Sequence, residues 1–340
     1  MSRLFDSPTA WLTRRDGTVV LGIGPFTASE SCEGADAAFY VQEFDWGDTK
    51  PWKIPARVER MELADFRRLA GHPQPLPCEW QAPDAAPFSE VFQEVMTAIR
   101  GGEFEKSVPV VTESGVSPRA PGPTVAAAVA HQDLPLRSYG WVGAESGFAG
   151  ATPESLFTLD HGCLETMALA GTARSEDRDV FAVDEKEIRE HEYVAQTLVS
   201  KLTNIGSLTR HPREILDLGS IVHFLSRIEV KVPDSLTPES LLRQLHPTPA
   251  LGPLPRTDET MAKLIDWRRR LGCPPHFGAP FGVAEGGRFD AVVAIRGVWW
   301  DGKHIRIPSG CGLIEASRLV NEWRELRLKR ESVKHFLPGN

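Results

Sequence analysis

The chain has 340 residues, of which 41% are hydrophobic and 25% charged, with a formal net charge of −8. This is an ordinary globular composition, with enough chain for one large domain or two. The acidic balance argues against nucleic acid as the main partner, because phosphate binding needs a basic footprint, but it leaves room for a local positive pocket that takes an anionic small molecule.

No apolar run is long enough to span a bilayer, so no membrane partner is expected. The opening stretch MSRLFDSPTAWLTRRDG has no apolar signal core, and the cytoplasm is the expected location. The five cysteines, Cys32, Cys78, Cys163, Cys273 and Cys311, are scattered, with no CxxC pair and no zinc spacing. They read as reduced thiols.

In chain order, the region up to about Gln81 reads as strands and turns. Residues 18–23 (TVVLGI) and 37–41 (AAFYV) are short β-branched and aromatic runs bounded by Gly and Asp. Residues 72–87 hold several prolines and read as a connector. Ser89 is placed to cap a helix through Arg100, with Val91, Phe92, Val95, Met96 and Ile99 on one face and Gly101–Gly102 as its stop. Strand candidates follow at residues 155–159 and 164–169. Asp184 is placed to cap a long helix to about Asn204. A strand at 227–232 and a helix at 257–271 come next. Strands at 289–298 and 304–307 precede a last helix from Ala316 to about Phe336, with Leu319, Trp323 and Leu326 on its apolar side. Strands cluster rather than alternate strictly with helices. That pattern favours α+β with mainly antiparallel sheets over a doubly wound parallel sheet. No GxGxxG or GxxxxGK[ST] loop supports nucleotide binding.

Two helices carry acidic pairs. In DEKEIREHEYVAQTLVSKL, Glu187 and Glu190 are three apart and share a face that Val194 and Leu198 continue into apolar territory. In NEWRELRLK, Glu322 and Glu325 repeat that spacing, and Lys329 extends the stripe. Either face alone reads more often as a solvated, salt-bridged surface. Two together suggest a site between helices, where buried carboxylates need a cationic partner. Mg²⁺, which prefers hard oxygens and keeps some waters, fits such a set, whereas zinc does not.

Nine segments in order make the chain resemble the chorismate-utilising family of isochorismate, salicylate, anthranilate and aminodeoxychorismate synthases. They are EKSVPVV (105–111), GATPE (150–154), ALAGTAR (168–174), DEKEIREH (184–191), VHFLSR (222–227), LHPTPALGPLPR (245–256), FDAVVAIR (289–296), SGCGL (309–313) and EWRELRLK (322–329). The resemblance implies one large α+β domain over residues 1–340, built of two stacked, mainly antiparallel sheets flanked by helices around a deep cleft. Residues 1–87 would form a shortened, strand-rich N-terminal part without motifs, and residues 88–340 the motif-bearing part.

The resemblance also implies Mg²⁺, with Glu190 and Glu325 as direct ligands and Glu187 and Glu322 acting through water or from behind. It implies chorismate as substrate. Arg296 and Lys329 become candidates for the enolpyruvyl carboxylate, and Arg suits a bidentate clamp. Gly310 and Gly312 let backbone approach the ligand. Gly171, Thr172 and His223 fall to substrate contact as well. His246 is either a wall residue that hydrogen-bonds the substrate or a satisfied structural histidine, with the two readings level. Isochorismate formation adds water at ring C2 while the C4 hydroxyl leaves. Lys106 is the base candidate, a role that needs an uncharged amine, and Glu154 the acid candidate, a role that needs a protonated carboxyl. In relatives that add ammonia, the position of Lys106 resembles glutamine or another non-basic residue. The expectation is therefore isochorismate synthase, serving menaquinone, siderophore or salicylate formation, as a monomer with no fused amidotransferase. Salicylate synthase and a non-catalytic chorismate-binding protein are the alternatives. Pro109, Phe277, Ala279 and Leu326 depart from the family pattern, and Pro109 suggests an edge or bulged strand.

Overall fold

The structure, a computed structural model, describes residues 4–233 and 235–339. The chain opens with β1 (Thr9–Thr13), β2 (Thr18–Ser29), β3 (Ala37–Val41), β4 (Trp52–Glu62), α1 (Leu63–Ala70), β5 (Glu79–Gln81) and α2 (Ala85–Arg100). It continues through β6 (Val110–Val116), α3 (Gly122–Ala130), β7 (Arg137–Val142), β8 (Ser146–Thr152), β9 (Ser155–Asp160) and β10 (Cys163–Arg174). Next come α4 (Arg178–Phe181), α5 (Glu185–Leu202), β11 (Ser207–Arg210), β12 (Glu214–Asp217), β13 (Ile221–Lys231), α6 (Pro238–Leu245) and α7 (Asp258–Arg270). It closes with β14 (Pro280–Glu285), β15 (Arg288–Val293), β16 (Gly297–Asp301), β17 (His304–Gly310) and α8 (Leu319–Lys334).

Every pairing described between these strands is antiparallel. One ladder runs β13–β10–β9–β15–β14–β3–β4. It passes through the β4–β2 and β2–β1 pairings into β7–β8–β16–β17–β6–β5. The expected antiparallel α+β architecture is therefore present as one curled sheet with two halves. Strands β11 and β12 add to the outer edge of β13.

Side-chain alternation in the strands sets the layers. Ala10 and Leu12 of β1 face a large core shared with Phe157, Leu164, Phe281, Phe289 and the α5 residues Val194 and Leu198. Trp11, between them, turns to a second core with Phe66, Val125, Val129, Ile305 and Ile307. The main core therefore lies between the two halves, and the second lies between one half and α1 and α3.

Two of the chain's crossings from one half to the other lie side by side. Pro153 and Glu154 link β8 to β9, and Ala294 to Arg296 link β15 to β16. The two links hold each other: Val293 N–H donates to Glu154 O (3.1 Å) and Ala151 N–H to Arg296 O (3.0 Å). Residues 289–298, expected as one strand, are broken here because Arg296 turns the chain with φ 54°.

Other local expectations need correction. Helix α2 starts at Ala85 with Asp84 as cap, not at Ser89, and the Asp84 carboxylate accepts from Ala86 N–H. Pro87 sits in the first turn, where no intrahelical N–H is needed. The expected connector at 72–87 thus contains β5 and the start of α2. Helix α8 begins at Leu319 rather than Ala316. Pro109 precedes the paired run of β6; β17 flanks all of that run but β5 only Ser114–Val116, so the end of β6 next to Pro109 is a sheet edge, with no bulge in its register with β17. The cap Asp184 is as expected; Thr257, expected as the first residue of its helix, is the cap before it and forms a reciprocal capping box with Thr260. No helix among the described residues is long and apolar enough to cross a membrane.

A buried ion network pins the β9–β15 region. Asp290 is fully buried and accepts from Arg14 Nε (3.0 Å), Arg288 Nε (2.8 Å) and Thr158 Oγ1 (3.0 Å). Burial pushes its carboxyl up, but Arg288, Arg137 and Arg14 outweigh that and hold it below the usual aspartate range. Its stabilisation is thus complete at neutral pH and lost only as pH falls below that range. Asp290→Asn takes the carboxylate from buried Arg137 and leaves buried Arg14 with Glu285 alone, and is expected to cost about 3–5 kcal/mol in urea unfolding at pH 7. A cost under 1 kcal/mol would contradict this account of the network.

Candidate active site

A cleft opens at the seam between the halves. Its lining includes Glu154, Gly171, Thr172, Glu190, His223, Arg296, Gly310, Gly312 and Lys329. Nine of the fourteen site residues expected from sequence therefore meet in one cavity. Pro153, Leu169, Ala170, Ala250, Leu251, Phe277, Ile295, Pro308 and Ser309 complete the wall.

Each polar group is positioned by a distinct element. Gly171 and Thr172 form a bulge in β10, where the register with β13 shifts between Ala170 and Ala173. Gly171 has φ 77°, a conformation that suits glycine. His223 lies opposite on β13. Its Nδ1 donates to Gly171 O (2.7 Å), which leaves Nε2 to accept from Arg296 Nη2 (2.9 Å). Burial, then Arg296, pulls His223 down to about 3, so the ring is neutral at pH 7 and holds the guanidinium. Arg296 also donates to Ser332 Oγ (2.9 Å) from α8. Burial lowers it to about 10, so it still carries its charge at neutral pH.

Glu154 is buried, and Thr248 Oγ1 donates to its Oε1 (3.0 Å). Burial pushes Glu154 up to about 7, against the opposing pull of Thr248, Lys106, Lys329 and Arg296. Lys106 is fully buried beside the cleft. Short bridges from its segment to Leu254 and Leu313 hold it in place, and its Nζ lies 3.2 Å from Glu190 Oε1.

The two acidic faces meet beside the cleft. Glu187 and Glu190 come from α5, and Glu322 and Glu325 from α8. Glu187, Glu190 and Glu322 are buried, which rules out the solvated-face reading for those three. Lys186 Nζ stands among them, 2.8 Å from Glu187 Oε1, 3.5 Å from Glu322 Oε1 and 3.6 Å from Glu190 Oε2. Lys329 Nζ donates to Glu325 Oε1 (2.5 Å) and to Gly310 O (2.9 Å). Burial and the neighbouring carboxylates raise Glu187 and Glu322 to about 7 and about 8. Burial also pushes Glu190 up, but Lys106, Lys186 and Lys329 pull it down to about 2. Glu322 Oε2 is buried without a hydrogen-bond partner. Oxygen-only donors with such an unpaired atom fit a hard divalent cation. Among the described residues, no three acidic, His or Cys side chains meet closely enough to cage an ion alone. A cation held by one or two carboxylates plus water and ligand oxygens needs no such cage.

His246 stands apart from this assembly. It is buried, lies outside the cleft lining, bonds through Nε2 to Phe44 O (2.8 Å), and meets Phe44 and Trp46 edge to face. Sequence reasoning missed four polar residues at the site, Lys186, Thr248, Ser309 and Ser332. All but Ser332 sit inside a recognised motif, and the usable signal was a polar group one or two positions from a singled-out residue.

The fold and the cleft define a class, and the sequence agrees with it. Residues 53–338 match the family described as chorismate binding enzyme, and the chain belongs to that family. Among characterised relatives, isochorismate synthase MenF of Haemophilus influenzae is 28% identical over 195 residues, which cover 55% of this chain and 45% of that protein. The matched stretch thus spans under half of that relative's length. The structure of MenF, the menaquinone-specific isochorismate synthase of Escherichia coli, superposes with a TM-score of 0.82 at 18% identity, covering 98% of this chain and 90% of that one. Anthranilate synthase component I of Streptococcus pneumoniae gives 0.67 at 14% identity, covering 96% and 90%. The fold alone therefore does not separate these chemistries, and the side chains of the cleft must.

Gly312 tests the packing of the site. A Cβ there would run into Glu190 Oε1 and come 2.8 Å from Lys106 Cε, whereas one on Gly310 would meet Val108 Cγ1 at 3.2 Å. Gly312→Ala is expected to cost about 1–3 kcal/mol in denaturant unfolding, and Gly310→Ala clearly less. Equal costs would contradict the close approach of Gly312 to the Lys106–Glu190 pair.

Proposed function

We propose that the chain is an isochorismate synthase that converts chorismate to isochorismate with Mg²⁺. The observation that carries this reading is Glu154: a buried carboxyl raised to about 7, in the wall of a cleft whose lining residue Glu190 lies 3.2 Å from the buried amine of Lys106. Environments that favour a protonated carboxyl beside a lysine suit an acid–base pair.

In this reading, Lys106 pairs with Glu190 at rest and, in its uncharged form, takes a proton from a water that bonds to ring C2. The ring double bond shifts, and the C4–O bond breaks. Glu154 gives its proton to the departing hydroxyl, which leaves as water. One proton is taken and one given, so the enzyme returns to its starting charge after exchange with solvent. Arg296, aimed by His223 and Ser332, and Lys329 receive the enolpyruvyl carboxylate. Glu190 and Glu325 would hold Mg²⁺ directly, with Glu187 and Glu322 through water. When bound, the ion supplies positive charge against the ring carboxylate. A cytoplasmic monomer, serving menaquinone or siderophore formation, belongs to the same reading. So does the role of Lys106 in choosing water over ammonia, because a basic residue there serves the deprotonation of water.

The direct test separates the products after incubation of the protein with chorismate and Mg²⁺. Isochorismate is expected. Salicylate with pyruvate, or anthranilate with added ammonium, would overturn the assignment. Lys106→Gln is expected to lower kcat by about 10²–10⁴ while Mg²⁺ binding persists. Glu154 must be protonated to act, so kcat is expected to fall as pH rises through about 7. A rate that stays flat to pH 9 would remove Glu154 from the acid role.

A further inference from the structure

The loop after α6 brings one hydroxyl to the proposed acid. Thr248 is buried and lies in the proline-rich segment 247–253. Its carbonyl accepts from Leu251 N–H (2.9 Å) and Gly252 N–H (2.7 Å), so a tight turn fixes the residue. Its Oγ1 donates to Glu154 Oε1 at 3.0 Å, between two buried side chains 94 residues apart. Among the described residues, no hydrogen bond reaches Glu154 Oε2. That oxygen is not one of the fully enclosed, unpartnered atoms either, so it lies open to the cleft that Glu154 lines.

We propose that Thr248 is a positioning residue for Glu154, whose hydroxyl claims Oε1 as acceptor and so confines the transferable proton to Oε2, facing the substrate. The inference rests on the reading of Glu154 as the acid. A carboxyl with two free oxygens carries its proton on either one and turns about its last bond. A donor held on Oε1 removes both freedoms. The proton passes from Oε2 to the departing C4 hydroxyl, the O–H bond to Glu154 breaks, and the electron pair stays on the carboxylate. The Thr248 bond strengthens as that charge develops, because hydrogen bonds to ionised acceptors are the stronger ones. The charged groups facing Glu154 are Lys106, Lys329 of α8 and Arg296 of the β15–β16 link. None of them touches Thr248 through a described hydrogen bond or ion pair, so a change at Thr248 leaves them in place.

The test compares Thr248→Val, which keeps the shape and loses the hydroxyl, with Thr248→Ser, which keeps the hydroxyl. Both are read with chorismate and Mg²⁺ across pH 6–9. Thr248→Val is expected to lower kcat about tenfold with KM changed less than about twofold. Its alkaline limb should move to higher pH, because a bond that favours the ionised form is gone. Thr248→Ser should restore both the rate and the limb. Should the Val variant fail to fold, Thr248→Ala is read in its place. A Val or Ala variant with wild-type kcat and an unmoved limb would overturn the proposal. So would a Ser variant as slow as Val with the limb unmoved, which would mark a packing role. Glu154→Gln separates the two levels. Wild-type turnover in that variant removes the acid reading and this inference with it. Loss of turnover there, beside an unaffected Thr248→Val, removes only the role of Thr248.

Discussion

Four carboxylates facing one another across two helices are the constraint around which the site is arranged. Left alone, Glu187, Glu190, Glu322 and Glu325 would repel, and burial would make the repulsion worse. The chain answers with lysines on three elements: Lys186 on α5, Lys329 on α8 and Lys106 beside β6. Lys186 stands among Glu187, Glu190 and Glu322, Lys106 lies against Glu190, and Lys329 joins Glu325 to the Gly310 carbonyl. The charge problem and the site geometry therefore have one solution.

That solution is available only at the seam of the sheet. Because β8 and β9 belong to different halves, the link between them must turn sharply, and Glu154 sits on that link. Because β15 and β16 also belong to different halves, Arg296 occupies the neighbouring turn in a left-handed conformation. Such strain in a non-glycine residue is held only where its surroundings fix it, here by His223 and Ser332. The rest of each half is ordinary antiparallel pairing over apolar cores. The proposed chemistry occupies the places where that pairing is interrupted.

What the sequence reveals follows from how local each signal is. Asp184 announces its helix because a cap acts over three residues. The i, i+3 glutamates reveal a shared face, but not whether it is buried; the facing helix decides that, and it lies more than a hundred residues away. Ser89 misled because the true cap, Asp84, stands before a proline that reads as a breaker yet is harmless in a first turn. The break in residues 289–298 is invisible locally, since an apolar run looks the same whether or not it changes half. His246 could not be settled from sequence, because its partners Phe44 and Trp46 are some 200 residues upstream. The order of nine motifs brought most of the cleft together without knowledge of these contacts. Lys186 and Thr248 stayed hidden because their roles depend on what lies opposite them.

The central claim is that the carboxylates of α5 and α8 form a single divalent-cation site within reach of the cleft. Calorimetric titration of Mg²⁺ into the protein, and into Glu190→Gln and Glu325→Gln variants of unchanged thermal stability, tests it most directly. One saturable site is expected in the wild type, and at least a tenfold loss of affinity in each variant. Undiminished Mg²⁺ binding in both variants would contradict it.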